Sequence, residues 1–247
     1  MTTISEALNR IARQCSMSAP SSWVTATRAD HVELRDDFLQ ETVSDIADRV
    51  DAPAPISKAQ TLTGGSGTTN ADGSETFALN SDFLRLQRNA LAVYDPQQDR
   101  PVIPITSDGR WDLLTDTGAT GVIKYYQTAG YEGAFTMTLY NGPATGDTYQ
   151  VNYITNLWMA DASGTVGSLF TAETDILLFP RRLVETGTVW RARERRGLPY
   201  LDKYNEYEAL MTRFANDRRG RRVVHMGEPA RDVRWQDLVP AFIPPGP

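Results

Sequence analysis

The 247-residue sequence predicts an α+β protein: a discontinuous helical bundle built from the N- and C-terminal segments, an inserted antiparallel β-sandwich or barrel-like domain, and an extended C-terminal tail. Three observations predict it. Apolar residues recur at helical spacing up to about Val50 and again beyond Pro180, whereas between about Lys58 and Met159 the period falls to two. The stretch Asp51-Ala52-Pro53-Ala54-Pro55 stops the first helical region, because each proline lacks an N–H and restrains the residue before it. Beyond Gly220 the prolines Pro229, Pro240, Pro244, Pro245 and Pro247 prevent a long helix. The expected boundaries are 1–55 and 166–222 for the two parts of the helical domain, 56–165 for the β domain and 223–247 for the arm.

The first helix is expected to start on a capping box, with Thr3 and Glu6 each satisfying an otherwise orphan backbone N–H. Ile4, Leu8, Ile11 and Cys15 form its apolar face, and Pro20 closes it. A second helix spans about Arg28 to Val50, with the stripe Val32, Leu39, Val43, Ile46 and Val50. Asp36, Asp37, Glu41, Asp45 and Asp48 fall mostly on its solvent faces.

In the β region, Phe135, Met137 and Leu139 alternate with threonines, and Tyr149, Val151 and Tyr153 alternate with Gln150 and Asn152. The turn residues from Gly142 to Asp147 between these runs predict a hairpin. Leu84 to Tyr94, Val102 to Ile105 and Val122 to Tyr126 are further strand candidates, and residues 63 to 75 read as a mobile loop. Helix is expected to return after Gly164 and Gly167. Pro180 suits a helix start, Gly197 a left-handed stop, and Pro199 restarts a helix whose stripe is Tyr200, Tyr204, Tyr207, Met211 and Phe214.

Composition narrows the function. With 40% hydrophobic and 23% charged residues and no apolar run long enough to span a bilayer, the chain reads as an ordinary soluble protein, made and used in the cytoplasm. The N-terminus has no basic start followed by an apolar run. The single cysteine, Cys15, reads as a small buried hydrophobe. The net charge of −6 is unevenly distributed: residues 1–170 carry 11 Lys+Arg against 20 Asp+Glu, and the remaining residues 14 against 11. Such polarity suits oriented assembly or contact with nucleic acid through one end.

Catalytic chemistry finds little support. Only two histidines occur, His31 and His225, neither with a second ligand at a familiar metal spacing, and a surface or capping role is expected for both. Gly64-Gly65-Ser66-Gly67 lacks the Gly-Lys-Ser/Thr of a phosphate loop, and Asn70-Ala71-Asp72-Gly73-Ser74-Glu75 lacks the flanks and first ligand of a calcium loop. No nucleophile-elbow sequence occurs. Carboxylate pairs brought together by the fold stay open, as does a carbohydrate-binding or glycan-hydrolysing role motivated by Trp111, Tyr125, Tyr126 and Tyr131. No enzymatic activity, metal or cofactor is expected.

Two basic runs end the predicted C-terminal helices, Arg191 to Arg196 and Arg218 to Arg222, where cations complement the helix dipole. Residues 180–222 hold 12 Lys+Arg against 6 Asp+Glu, enough to attract phosphate, so Arg193, Arg195, Arg196, Arg218, Arg219, Arg221 and Arg222 are candidate DNA-facing or interface residues. In the tail, Trp235, Leu238, Val239, Phe242 and Ile243 are too many apolar residues for a freely solvated terminus, which makes them candidate anchors for a partner protein or a neighbouring subunit.

Several strings occur in an order that resembles the head-to-tail adaptor, or connector, proteins of tailed bacteriophages. They are Ser81-Asp82-Phe83-Leu84-Arg85, then Met137-Thr138-Leu139-Tyr140-Asn141-Gly142-Pro143 with Asp147-Thr148-Tyr149-Gln150-Val151-Asn152-Tyr153. Phe179-Pro180 with the helix through Trp190, and Asn205-Glu206-Tyr207-Glu208-Ala209-Leu210, follow. The likeness covers about residues 1 to 222 and carries no catalytic signature. It implies a structural part of the virion at the head-to-tail junction, assembled in the host cytoplasm into a homo-oligomeric ring, commonly of about twelve subunits. It further implies portal and tail or nozzle proteins as partners, a central DNA channel, and a β domain directed outward or toward the tail.

Overall fold

The computed structural model describes residues 3–51, 56–88, 91–117, 123–131, 133–140 and 143–218. Helix α1 (Ile4–Gln14) starts at Thr3, whose Oγ1 accepts the Glu6 N–H at 3.3 Å. It buries Ile4, Leu8 and Ile11 as the spacing predicts, and Cys15 is buried just beyond its end. The helix stops well before Pro20, because Ser16 takes a positive φ of 55° and Met17 N–H turns back to the Ala12 carbonyl.

The second helical region runs as α2 (Ala29–Val32), a π-helical segment (Glu33–Phe38) and α3 (Leu39–Arg49). Leu39, Val43, Ile46 and Val50 are buried as expected, but Val32 is only half-buried, and Leu34 and Phe38 fill the core. A π turn widens the repeat and rotates everything N-terminal to it, which moves the stripe off the phase that a regular helix keeps.

Strands β1 (Ser57–Thr63), β2 (Thr68–Thr69), β3 (Glu75–Ala78), β4 (Phe83–Leu86), β5 (Val93–Asp95), β6 (Arg100–Pro101) and β7 (Ile103–Pro104) come next. Helix α4 (Asp108–Thr117) and strands β8 (Tyr125–Ala129), β9 (Thr136–Tyr140) and β10 (Thr148–Thr155) complete the region. One sheet has the order β1-β10-β5-β6 with β4 also on β10, the other β2-β3-β9-β8-β7, and neither closes into a barrel. All pairings are antiparallel except the parallel contact of β7 with β8.

The predicted hairpin is therefore corrected: β9 and β10 lie in different sheets. Met137 and Leu139 from one sheet face Tyr149, Val151 and Tyr153 from the other across a shared core with Phe77, Phe83 and Val93. Alternation marks only which face of a strand is buried, so it cannot tell neighbours in one sheet from strands facing each other across a sandwich. The turn is tied down by Gly64 N–H to Asp147 O at 2.8 Å and Gly146 N–H to Gly64 O at 3.1 Å. Gly64 also passes so close to Ala144 that a Cβ there would sit 2.3 Å from its carbonyl oxygen.

Three further expectations change. The strand expected from Leu84 to Tyr94 is broken into β4 and β5, both on the same edge of β10. The 63–75 loop contains the β2–β3 pairing, and its turn is fixed by the buried Glu75 carboxylate, which accepts Gly65 N–H at 3.1 Å and Gly67 N–H at 2.6 Å. Around Gly164 the chain forms a small sheet of β11 (Met159–Ala160), β12 (Val166–Gly167) and β13 (Ile176–Leu177) before helix α5 (Arg181–Arg195) begins behind Pro180. Gly197 has φ +66° at the helix stop, and α6 (Leu201–Arg218) follows, burying Tyr207 and Met211.

The first and last helices share one core, in which Ile4, Leu8 and Ile46 meet Val184, Val189 and Tyr207. Strand β10 belongs to both cores: Tyr149, Val151 and Tyr153 pack inside the sandwich, whereas Ile154 packs into the helical core.

Candidate assembly interface

Two joints organise the subunit: one ties the sandwich to the helices, the other ties the helices to one another. At the first, Phe83 is buried in the sandwich core and Leu84 packs on the helical core. Just before β4, Asp82 accepts from Lys58 Nζ of β1 at 2.6 Å and from Tyr153 OH and Thr155 Oγ1 of β10 at 2.9 and 3.0 Å. Burial opposes its charge, yet these donors hold the Asp82 carboxyl below the usual carboxylate range. Arg85 then reaches into the helical part, donating to Ala47 O at 3.0 Å and Asp51 Oδ1 at 2.8 Å. Sequence reasoning singled out this string but not the linking role of Asp82 and Arg85; a charged pair three residues apart around two apolar residues was its only signal.

At the second joint α3, α5 and α6 meet without room for a side chain. A Cβ on Gly187 would lie 2.5 Å from Thr42 Cγ2 and 2.7 Å from Tyr207 Cε2. Beside it the Arg191 guanidinium, 12% exposed, donates to Thr42 Oγ1, Gly187 O and Asp45 Oδ2, each at 3.2 Å, and lies 4.4 Å from the centre of the Trp190 ring. Tyr207 OH donates to the same Asp45 carboxylate at 2.6 Å; burial, then this carboxylate, pushes the phenol well above its ordinary range. Arg49 closes the cluster with a two-pronged pair to Glu208 at 2.7 and 2.6 Å, which holds the Glu208 carboxyl low.

The first basic run is thereby largely engaged within the subunit. Arg193 donates to Gln14 O at 2.8 Å, Arg196 to Cys15 O at 3.4 Å, and Arg195 pairs with Glu33 at 3.3 Å, so these side chains cap the end of α1 and tie α5 to the π-helical segment. Arg195 keeps 72% of its side chain exposed. Arg218 is the last residue of α6, whereas Arg219, Arg221 and Arg222 lie outside the described residues, as do the proposed anchors Trp235, Leu238, Val239, Phe242 and Ile243.

His31 is not at the surface as expected. It is 3% exposed, its Nε2 lies 2.9 Å from Ser18 O, and its ring meets Trp23 edge-on at 5.3 Å; the apolar surroundings contributed by Trp23 draw it inward. His225 lies outside the described residues. Among the aromatics, Tyr126 is buried, Trp111 packs edge-on against Tyr140 at 5.8 Å, and Tyr131 is exposed. Trp111 sits on α4, a helix absent from the sequence reading because its apolar residues do not form a stripe.

What the surface does present is a trough along α3. Its acidic half, a cavity of about 860 Å³, runs between the π-helical segment and the end of α5; Glu33, Asp36, Asp37, Glu41 and Glu194 line it and outnumber its two cations, Arg191 and Arg195. Its apolar half, about 440 Å³, lies between α3 and the β10–β12 region and is lined by Val43, Ala47, Leu84, Trp158 and Leu169. Gln40 and Ser44 border both. Leu169 is 73% exposed at its rim. Among the described residues no cluster of His, Cys, Asp or Glu has the arrangement of a metal site, and no helix is long and apolar enough to cross a membrane.

These features define a class of mixed α+β proteins in which a two-sheet β unit sits between the halves of a helical one and polar side chains lock the two together. The chain belongs to the SU10 adaptor protein family, whose model matches residues 2–234. The likeness to bacteriophage head-to-tail adaptors thus holds at the level of the family, which is a structural one. No curated protein matches the chain.

Proposed function

We propose that the chain is a head-to-tail adaptor subunit: copies assemble as a ring, commonly of about twelve, below the portal, joining capsid to tail and surrounding the DNA channel. The observation that carries this reading is the family match over 2–234, which includes both helical halves and the β unit. Helices of 1–55 and 166–222 form the ring body in this reading, 56–165 is directed outward or toward the tail proteins, and 223–247 is the assembly arm, with Trp235, Leu238, Val239, Phe242 and Ile243 as anchors on portal or neighbour.

The locked helical joints support a rigid part whose work is positioning and not chemistry. Arg195, the most exposed of the described basic-run side chains, together with Arg218, Arg219, Arg221 and Arg222, supplies the contact with genomic DNA or a neighbour, whereas Arg193 and Arg196 act through the fold of the subunit. Mass photometry of the purified chain, alone and with purified portal, tests the assignment. The expected outcome is monomer or weakly associated subunit alone and a stoichiometric ring on portal. A stable ring at micromolar concentration without portal overturns the ordered-assembly part, and failure to bind portal overturns the adaptor assignment.

A further inference from the structure

We propose that the trough along α3 is the acceptor for the segment Arg231–Leu238 of a neighbouring copy of this chain, which makes it the socket of a head-to-tail contact around the ring. The inference rests on the ring reading above and names the surface that the arm engages. The first support is complementarity in order and chemistry. Arg231, Arg234, Trp235 and Leu238 stand at i, i+3, i+4 and i+7, a spacing that gathers two cations and two large apolar groups on one face of a helical turn, while Asp232 and Asp237 fall outside that face. The trough offers the matching pair of surfaces. Asp37 and Glu194 are exposed and have no ion-pair partner among the described residues, and the apolar half next to them carries the exposed Leu169 over buried Val43, Ala47 and Trp158.

The second support is direction. Gly187 of α5 packs on Tyr207 and Trp190 on Tyr204, so α6 runs antiparallel to α5 and leads away from Arg191, Glu194 and Arg195, the α5 residues of the trough. On α3, Asp45 and Arg49 bond to α5 and α6, whereas Gln40, Ser44 and Ala47 border the trough roughly 100–180° away round the helix at 100° per residue. Tail exit and socket therefore lie on different sides of the subunit, the arrangement a heterologous contact needs if its rotation is to close a ring. The chain from Arg218 to Arg231 spans at most about 45 Å when extended, enough to bridge adjacent subunits.

Full-length chains carrying Ser168→Cys or Gln236→Cys, neither of them an anchor, test the assignment when mixed, assembled on portal and treated with a short bis-maleimide. The expected product is a two-chain band that needs both variants, and a ladder of longer products from the double variant. Arg234→Glu should lose that band, and adding Glu194→Arg should restore it. Rings that assemble without a two-chain product, cross-links confined within one chain, or an adduct of the Ser168→Cys chain to portal each overturn the socket while leaving the adaptor reading in place. If no ring forms on portal with the unmodified chain, the adaptor reading fails and the socket with it.

Discussion

Gly187→Ala tests whether the close approach of three helices at Gly187 holds the helical layer together. In the interior of a helix, alanine is ordinarily favoured over glycine by about 1 kcal/mol. Here the added Cβ meets Thr42 Cγ2 at 2.5 Å and Tyr207 Cε2 at 2.7 Å, and neither neighbour can swing aside: Thr42 and Tyr207 are both fully buried and hydrogen-bonded at their polar ends. Forcing a methyl into such a site costs about 1–3 kcal/mol, typically through backbone shift. Because two contacts are violated at once, the upper part of that range applies, and the net loss after the propensity gain is about 1–2 kcal/mol. For a chain of this size that lowers the melting temperature by about 2–8 °C, read by scanning calorimetry or circular dichroism. Thr42→Ser removes the offending methyl while retaining the hydroxyl that binds Arg191, so Gly187→Ala with Thr42→Ser should recover part of the loss beyond the sum of the single effects. A Gly187→Ala protein that melts at or above the parent temperature refutes the reasoning.

Arg191→Met should destabilise by about 2 kcal/mol or more, because it leaves the Asp45 carboxylate with less compensation at the helix junction, and Arg191→Lys should recover only part of this since a single ammonium cannot bond Thr42, Gly187 and Asp45 together; urea unfolding curves check both. Glu75→Ala should cost about 1–3 kcal/mol and speed amide exchange at Gly65 and Gly67, whose N–H groups lose their acceptor, so unchanged protection at those two amides would show that the carboxylate does not hold the turn. Hydrogen bonding to Arg49 lowers the Glu208 pKa, so its contribution is present above the unfolded value of about 4.3 and lost as pH falls through the lower folded value. Burial raises the Glu185 pKa, so its protonation favours the fold as pH falls from the raised folded value to the unfolded value of about 4.3, just above the range in which the Glu208 contribution is lost. Melting temperatures from neutrality into that acid range should fall less steeply in Glu208→Gln than in the parent.

The helix, sheet, helix order, the start of α1 at Thr3, the stop of α5 at Gly197, the apolar face of α1 and the inward Tyr207 and Met211 of α6 were legible in the residues alone. Each is a local matter of capping, left-handed backbone or period, readable within a turn or two of chain. Packing in three dimensions was needed to show that β9 and β10 face each other, since burial on alternate residues is satisfied equally well beside a strand or across a core. It also set the fate of the first basic run: arginines that look like a surface for phosphate come to rest on the carbonyls of α1 and the carboxylates of α2–α3, far away in sequence. The trough was illegible for the same reason, because Asp37, Glu194 and Leu169 belong to three separate segments and only packing brings their surfaces together. Local rules act through a few neighbouring bonds, whereas partner choice among distant segments depends on which surfaces the completed core leaves exposed.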